Sequence, residues 1–137
     1  MTVTFRTTRR VEFADTDMAG IMHFARFFSL MEEVEHEFLR SRGLSVVMKH
    51  QGRGIGFPRV SAKCDFKKPA RFEDVLEATL SVARLGGKSI TYTVEFAKGS
   101  EVLATGTLTA CCCLHEPGQL SPIDVPDDLR KKILGED

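Results

Sequence analysis

The chain has 137 residues, with 19 lysines and arginines against 19 aspartates and glutamates, so its formal net charge is zero. A chain of this length suits one domain with its own core, and a neutral total leaves no whole-molecule field to gather nucleic acid or an anionic membrane surface. Residues 1–20 hold no long apolar stretch and no segment approaches the roughly 18 apolar residues of a membrane helix, so a cytoplasmic location is expected.

From Val3 to Phe13 the apolar residues Val3, Phe5, Val11 and Phe13 share one parity, the alternation of a strand, with Thr7 and Arg9 interrupting the face. From Phe24 the period changes. Phe24, Phe27, Phe28, Met31, Val34, Phe38 and Leu39 recur at three- and four-residue steps, while Glu32, Glu33, His36, Glu37 and Arg40 fill the other side. This predicts a long helix that Gly43 is placed to end. "LSVVMKHQ" predicts a further short helical segment, and "GRGIGFP" a turn; its alternate glycines precede an extended stretch rather than link a strand to a helix, which argues against a dinucleotide loop.

The remainder alternates. "PRVSAKCDF" places Val60, Ala62, Cys64 and Phe66 on one face, "VLEATLSVARL" does so with Leu76, Ala78, Leu80 and Val82, and "SITYTVEF" with Ile90, Tyr92, Val94 and Phe96. The connections "LGGKS" and "AKGSE" are short and glycine-bearing, so these strands should be antiparallel neighbours. "EVLATGTLTACCCLH" supplies a final long strand. Its adjacent Cys111, Cys112 and Cys113 face alternate ways, which places them poorly for a shared metal or an internal disulfide; with Cys64 they are expected to be reduced, apolar packers. After the prolines that follow His115, "PDDLRKKIL" suits a terminal helix over about residues 126–134, with aspartates in front and lysines behind.

The order strand, long helix, four strands describes an α+β domain spanning residues 1–137, its core at about 3–115, in which one antiparallel sheet packs on one main helix. The sheet's edges need cover, so self-association is expected.

Chemistry concentrates at the junction "VEFADTDMAGIMHFARFF", residues 11–28. Gly20 stands where the chain leaves the strand and enters the helix. The first helical N–H groups have no intrahelical partner and lie at the electropositive end, where a carbonyl oxygen can become an oxyanion. Asp17, just upstream, is placed to act as nucleophile or as general base for water. Asp15 and Asp17 also suit turn formation or helix capping.

"FADTDMAGIMHFARFF" resembles the signature of the 4-hydroxybenzoyl-CoA thioesterase family, in which D-x-D-x-x-G is followed by an aliphatic residue and aromatics that open a helix. The similarity continues through "GFPRVSAKCDFKKPARFEDVLEATLSVARLGGKSITYTVEF" and "VLATGTLTACCC", covering about residues 5–114. The resemblance implies a hotdog fold, a five-stranded antiparallel sheet wrapped around one long central helix, with homodimers or homotetramers as the unit. It implies hydrolysis of acyl-CoA thioesters without metal or organic cofactor, coenzyme A entering only as part of the substrate. The motif's second aspartate, catalytic in the family, falls on Asp17, and the backbone N–H that polarises the thioester carbonyl falls on Phe24.

Several bacterial relatives carry a functional histidine at the position of Phe24, whereas here the histidine is His23; neighbours on a helix point about 100° apart, so His23 is left with pocket lining, assistance to water or capping as its alternatives. A second branch of hotdog thioesterases takes its carboxylate from the middle of the helix. Glu32 and Glu33 lie in an acidic stretch with Glu35 and Glu37 that reads as a solvated face, which leaves Asp17 as the choice. For the nucleotide phosphates, Lys67, Lys68 and Arg71 form one basic cluster, and Arg84 and Lys88 with Ser89, at the turn where relatives make nucleotide contacts, form the preferred one. Competing readings are an acyl carrier protein thioesterase, a hotdog dehydratase or hydratase, and an acyl-CoA-binding module without turnover.

Overall fold

The computed structural model describes residues 3–136. Strand β1 (Thr4–Arg10) leads through a single 3-10 turn into helix α1 (Phe24–Ser41). Strands β4 (Arg59–Phe66), β5 (Val75–Leu85), β6 (Ser89–Lys98) and β7 (Glu101–Cys111) then complete an antiparallel sheet in the order β1-β5-β6-β7-β4. The helix lies on one face of this sheet, as the hotdog expectation requires. Phe27, Leu30, Met31, Val34, Phe38 and Leu39 are buried against Leu76, Ala78 and Leu80 of β5 and Ile90, Tyr92, Val94 and Phe96 of β6. Helix period on one side and strand alternation on the other make the two apolar faces that meet.

The interruptions in β1 have partners. Thr7 and Arg9 point the same way as Phe5 and meet the helix: Thr7 Oγ1–H donates to Glu37 Oε1 at 3.0 Å, and Arg9 Nε–H donates to Glu33 Oε1 at 3.1 Å. One edge of the helix–sheet interface is therefore polar and paired.

The sheet is not alone. "LSVVMKHQ" is not helical: Val47–His50 form strand β2, joined to β3 (Arg53–Gly56) by Gln51 and Gly52, both at positive φ. Two such residues make the tight turn that matches strand twist, and the β-branched Val46 and Val47 favour extension. The expected last strand is also broken. At Cys112 the N–H donates to Lys88 O and the carbonyl accepts from Ile123 N–H, so the chain leaves the large sheet there. It resumes as β8 (Cys113–Glu116), which with β9 (Gln119–Pro122) gives a second sheet in the order β2-β3-β8-β9. The single five-stranded sheet thus becomes five strands plus four. Cys111 and Cys113, two residues apart, bring their Sγ atoms within 3.6 Å of each other across the break, and all four cysteines are free.

Helix α2 (Asp127–Leu134) closes the chain where the sequence placed it, burying Leu129 and Ile133. Its Arg130 guanidinium donates to Gly86 O at 2.9 Å, and Asp128 meets His50 Nε2 at 2.8 Å. On β4 the face expected to be internal lies open: Val60 is 64% and Phe66 47% exposed, and among the described residues β4 pairs only with β7. No helix among the described residues is long and apolar enough to cross a membrane.

The second sheet depends on close backbone approach, because a Cβ on Gly54 would collide with the His115 carbonyl across the β3–β8 contact. Gly54→Ala should therefore destabilise the protein by about 1–3 kcal/mol, measured as a lower urea midpoint with an unchanged slope. A midpoint equal to the parent's would contradict that packing.

Candidate active site

Of the two junction aspartates, Asp15 is the buried one. Its Oδ2 accepts the Glu12 N–H at 2.8 Å, its Oδ1 accepts Arg26 Nε–H at 2.7 Å, and its carbonyl accepts the His23 N–H at 2.8 Å. A buried carboxylate is stable only when paired and bonded in this way. It sets where α1 begins.

Asp17 is exposed and sits in a tight loop. Its N–H donates to Ile21 O and its carbonyl accepts the Gly20 N–H, both at 2.9 Å, while Gly20 takes φ 79°. Its Oδ1 accepts the Ala19 N–H at 2.8 Å, and Oδ2 has no bonding partner among the described residues. One oxygen therefore ties the loop and the other is available. The loop is fixed to the body by Met22 N–H donating to Ala70 O at 2.7 Å.

His23 is the N-cap of α1: its Nδ1 accepts the Ala25 N–H at 3.2 Å and its ring stacks on Phe24 with centroids 4.8 Å apart. Of the alternatives open to it, capping is the one this geometry displays. Phe24 is the first helical residue, and its N–H has no acceptor among the described residues. Its ring meets Phe66 edge to face, and Phe66 meets Phe27 in the same way.

Asp17, Phe24, Phe27 and Phe66 line one cleft of about 600 Å³, with Ile21 and Met22 in its wall and Lys67, Lys68 and Arg71 along its rim. Asp17 and three phenylalanines, among them the first residue of α1, therefore line one cleft. Such a set can place an acyl carbon between a nucleophile or base and an oxyanion donor.

Arg84, Lys88 and Ser89 are elsewhere. They lie at the far end of β5, whose 11 residues begin just after the cleft segment. The row of the sheet that carries Phe66 crosses β5 at Ala78, and at 3.3 Å per residue Arg84 is about 20 Å further along. Lys88 Nζ is paired with Asp124 Oδ1 at 3.0 Å. Within one chain, the basic residues beside the cleft are the Lys67, Lys68 and Arg71 cluster instead.

The acidic stretch of α1 is not a solvated face throughout. Glu35 is fully buried and bonded to the Arg59 guanidinium, with its Oε2 left unbonded. Burial pushes its carboxyl up from 4.5 to about 7, against the opposing pull of Arg59. His36 Nε2 accepts from Arg59 Nη2 at 3.0 Å, and burial together with that cation holds its pKa below the usual histidine value. The signal was present in the spacing: position 35 follows Met31 by four and precedes Phe38 by three, inside the apolar stripe.

Among the described residues, no group of three or more His, Cys, Asp or Glu gathers as a metal site. Residues 19–105 match the sequence model of the thioesterase superfamily. A putative esterase from Aquifex aeolicus is 31% identical over 121 residues, which are 88% of this chain and 91% of the relative. A solved 1,4-dihydroxy-2-naphthoyl-CoA thioesterase from Synechocystis superposes with a TM-score of 0.81 at 26% identity, covering 96% of each chain. A solved gentisyl-coenzyme A thioesterase superposes with a TM-score of 0.78 at 29% identity, covering 92% of this chain and 99% of its own.

Between pH 4.5 and 7 an unfolded chain has lost the Glu35 proton while the folded protein retains it, so the stability owed to this group falls as pH rises through that window. Glu35→Gln cannot titrate. Its unfolding free energy relative to the parent should rise from pH 4.5 to 7 and level off above, as read from urea midpoints at a series of pH values; a difference independent of pH would contradict the burial.

Proposed function

Because the chain belongs to the thioesterase superfamily, and is therefore a thioester hydrolase, we propose that it hydrolyses acyl-CoA thioesters in the cleft between Asp17 and the start of α1. The observation that supports this reading is that Asp17 and Phe24, whose N–H has no acceptor among the described residues, line the same cleft. The thioester carbonyl oxygen is directed to the Phe24 N–H, which stabilises the negative charge that develops there. Asp17 either takes a proton from the water that attacks the carbonyl carbon, or attacks that carbon itself to form a mixed anhydride that water then hydrolyses, restoring the carboxylate and supplying the proton. The C–S bond breaks, the proton passes to the departing thiolate, and the acid and coenzyme A leave. These groups and water suffice, so the reading includes no cofactor, and His23 supports the site by capping the helix.

The substrate class we propose is a hydroxylated aromatic acyl group, which includes 4-hydroxybenzoyl. Two observations support it: the Phe24, Phe66 and Phe27 rings meet edge to face around the cleft, as suits a planar ring, and two of the similar solved proteins act on 1,4-dihydroxy-2-naphthoyl-CoA and gentisyl-coenzyme A. Lys67, Lys68 and Arg71 are placed for the nucleotide phosphates of a substrate bound in this chain. The reading includes a cytoplasmic homodimer formed through the unpaired edge of β4, with Arg84, Lys88 and Ser89 reaching the nucleotide from the second copy. The exposure of Asp17 and its bond to Ala19 favour, as a second reading, an acyl-CoA-binding module without turnover.

Asp17→Asn should lower kcat on a panel of hydroxyaryl and aliphatic acyl-CoAs by about 10²- to 10⁴-fold, measured as thiol release. A variant as fast as the parent would refute the role of Asp17, and a parent that binds acyl-CoA but releases no thiol over hours would favour the binding module. Phe24→Pro removes the N–H at a position where proline fits a helix, whereas Phe24→Ala keeps it. The proline variant should fall below the alanine variant by about 10²- to 10³-fold in kcat; equal rates would remove that N–H from the mechanism.

A further inference from the structure

At the head of β4, opposite the end that carries Phe66, lies a slot of about 210 Å³. Val46, Val47, Phe57, Pro58 and Leu120 make it apolar, and Arg59 brings a cation to its wall. It is smaller than the 300 Å³ or more of a ligand pocket, the size of a subsite for one ring system rather than of a whole site. The guanidinium is held on one side only. Nη2 is spent on Glu35 and His36, and Nη1 reaches Phe57 O at 3.5 Å, but Nε–H has no acceptor among the described residues and the side chain is 24% exposed. Such a pair is costly to build into a core, since Glu35 without Arg59 would be a buried, unpaired acid. An arginine anchored this firmly beside an apolar slot is preorganised to donate to an oxygen on whatever enters.

The slot and the Asp17 cleft are at opposite ends of β4 in one chain: Phe66 lines the cleft, and Arg59 lies seven residues away. A two-fold edge pairing runs the two β4 strands antiparallel, so it sets the Arg59 end of one against the Phe66 end of the other. The apolar residues exposed around this edge, Val47, Val60, Phe66 and Leu120, supply the surface such a pairing covers.

We infer that Arg59 of one copy, positioned by Glu35, reads the ring hydroxyl of an aryl thioester held in the Asp17 cleft of the other. This rests on the thioesterase reading above and adds to it a specificity residue supplied in trans. The acyl carbon stays with Asp17 and Phe24, while the distal oxygen of the ring accepts from Arg59 across the interface. Aromatic acids without that oxygen leave the donor unanswered.

The test compares 4-hydroxybenzoyl-CoA with benzoyl-CoA. Arg59→Met should lower kcat/KM for the hydroxylated substrate about 10- to 100-fold more than for benzoyl-CoA, the worth of one hydrogen bond to a charged group. Arg59→Lys should recover part of that difference. Glu35→Gln should raise KM for the hydroxylated substrate while kcat holds, because it acts through Arg59. The double variant Glu35→Gln/Arg59→Met, which leaves no buried charge unpaired, should repeat the loss of selectivity and so separates it from misfolding. Mixing Asp17→Asn with Arg59→Met chains through reversible unfolding gives mixed dimers in half of all pairings, each with one intact site of two, so about a quarter of the parental rate should return. Equal losses on both substrates, or a mixture no faster than its components, would overturn the inference. A parent that hydrolyses neither thioester would instead refute the functional reading itself, and this inference with it.

Discussion

The buried carboxylate of Asp15 is the interaction on which the site depends. By accepting the Glu12 N–H and the Arg26 guanidinium, and by offering its carbonyl to His23, it joins the end of the first strand segment to the first turn of α1. That union fixes the helix start in space. Two features sit beside it: the loop is closed by a Thr16–Met22 bridge, and the His23 cap takes the Ala25 N–H while the Phe24 N–H has no acceptor among the described residues. The exposed second aspartate owes its position to the buried first one. Catalytic geometry on a loop requires this kind of rigid support beneath it.

A second constraint runs along α1. Its inner stripe packs against the sheet so closely that a Cβ on Gly106 would meet the Met31 side chain, and one turn later the same stripe carries Glu35. An acid at that position is stable only with a cation, and the cation comes from the first residue of β4. The helix is thereby tied to the sheet edge at the end opposite the cleft, with Arg9 making comparable pairs to Glu33 and Glu37 along β1. Polar contacts at both borders of an apolar interface fix its register where apolar packing alone would tolerate slippage.

Much of this was legible in the residues because it is local. The alternation of β5, β6 and β7, the 3.6-residue period of α1, and the glycine between strand and helix each depend on near neighbours, and so the helix start and the loop that carries Asp17 were readable from spacing. The features that escaped depend on distant partners. The β2–β3 hairpin needed β8 to pair with, and the break at Cys112 follows from bonds to Lys88 and Ile123, neither visible in "ACCCLH" itself. Glu35 was hidden by its acidic neighbours although its helical position lay inside the apolar stripe. Arg84, Lys88 and Ser89 fall about 20 Å along the strand direction from the Phe66 row of the cleft, a separation set by strand pairing and not by sequence spacing.

The proposed chemistry depends on the space between residue 17 and the helix start. A crystal structure with a hydroxyphenacyl-CoA ketone, which keeps the carbonyl but cannot be hydrolysed, tests it most directly. The predicted result is a carbonyl oxygen about 3 Å from the Phe24 nitrogen, with the carbonyl carbon facing the Asp17 carboxylate. A ligand bound with its carbonyl turned away from both groups, or seated outside this cleft, would contradict it.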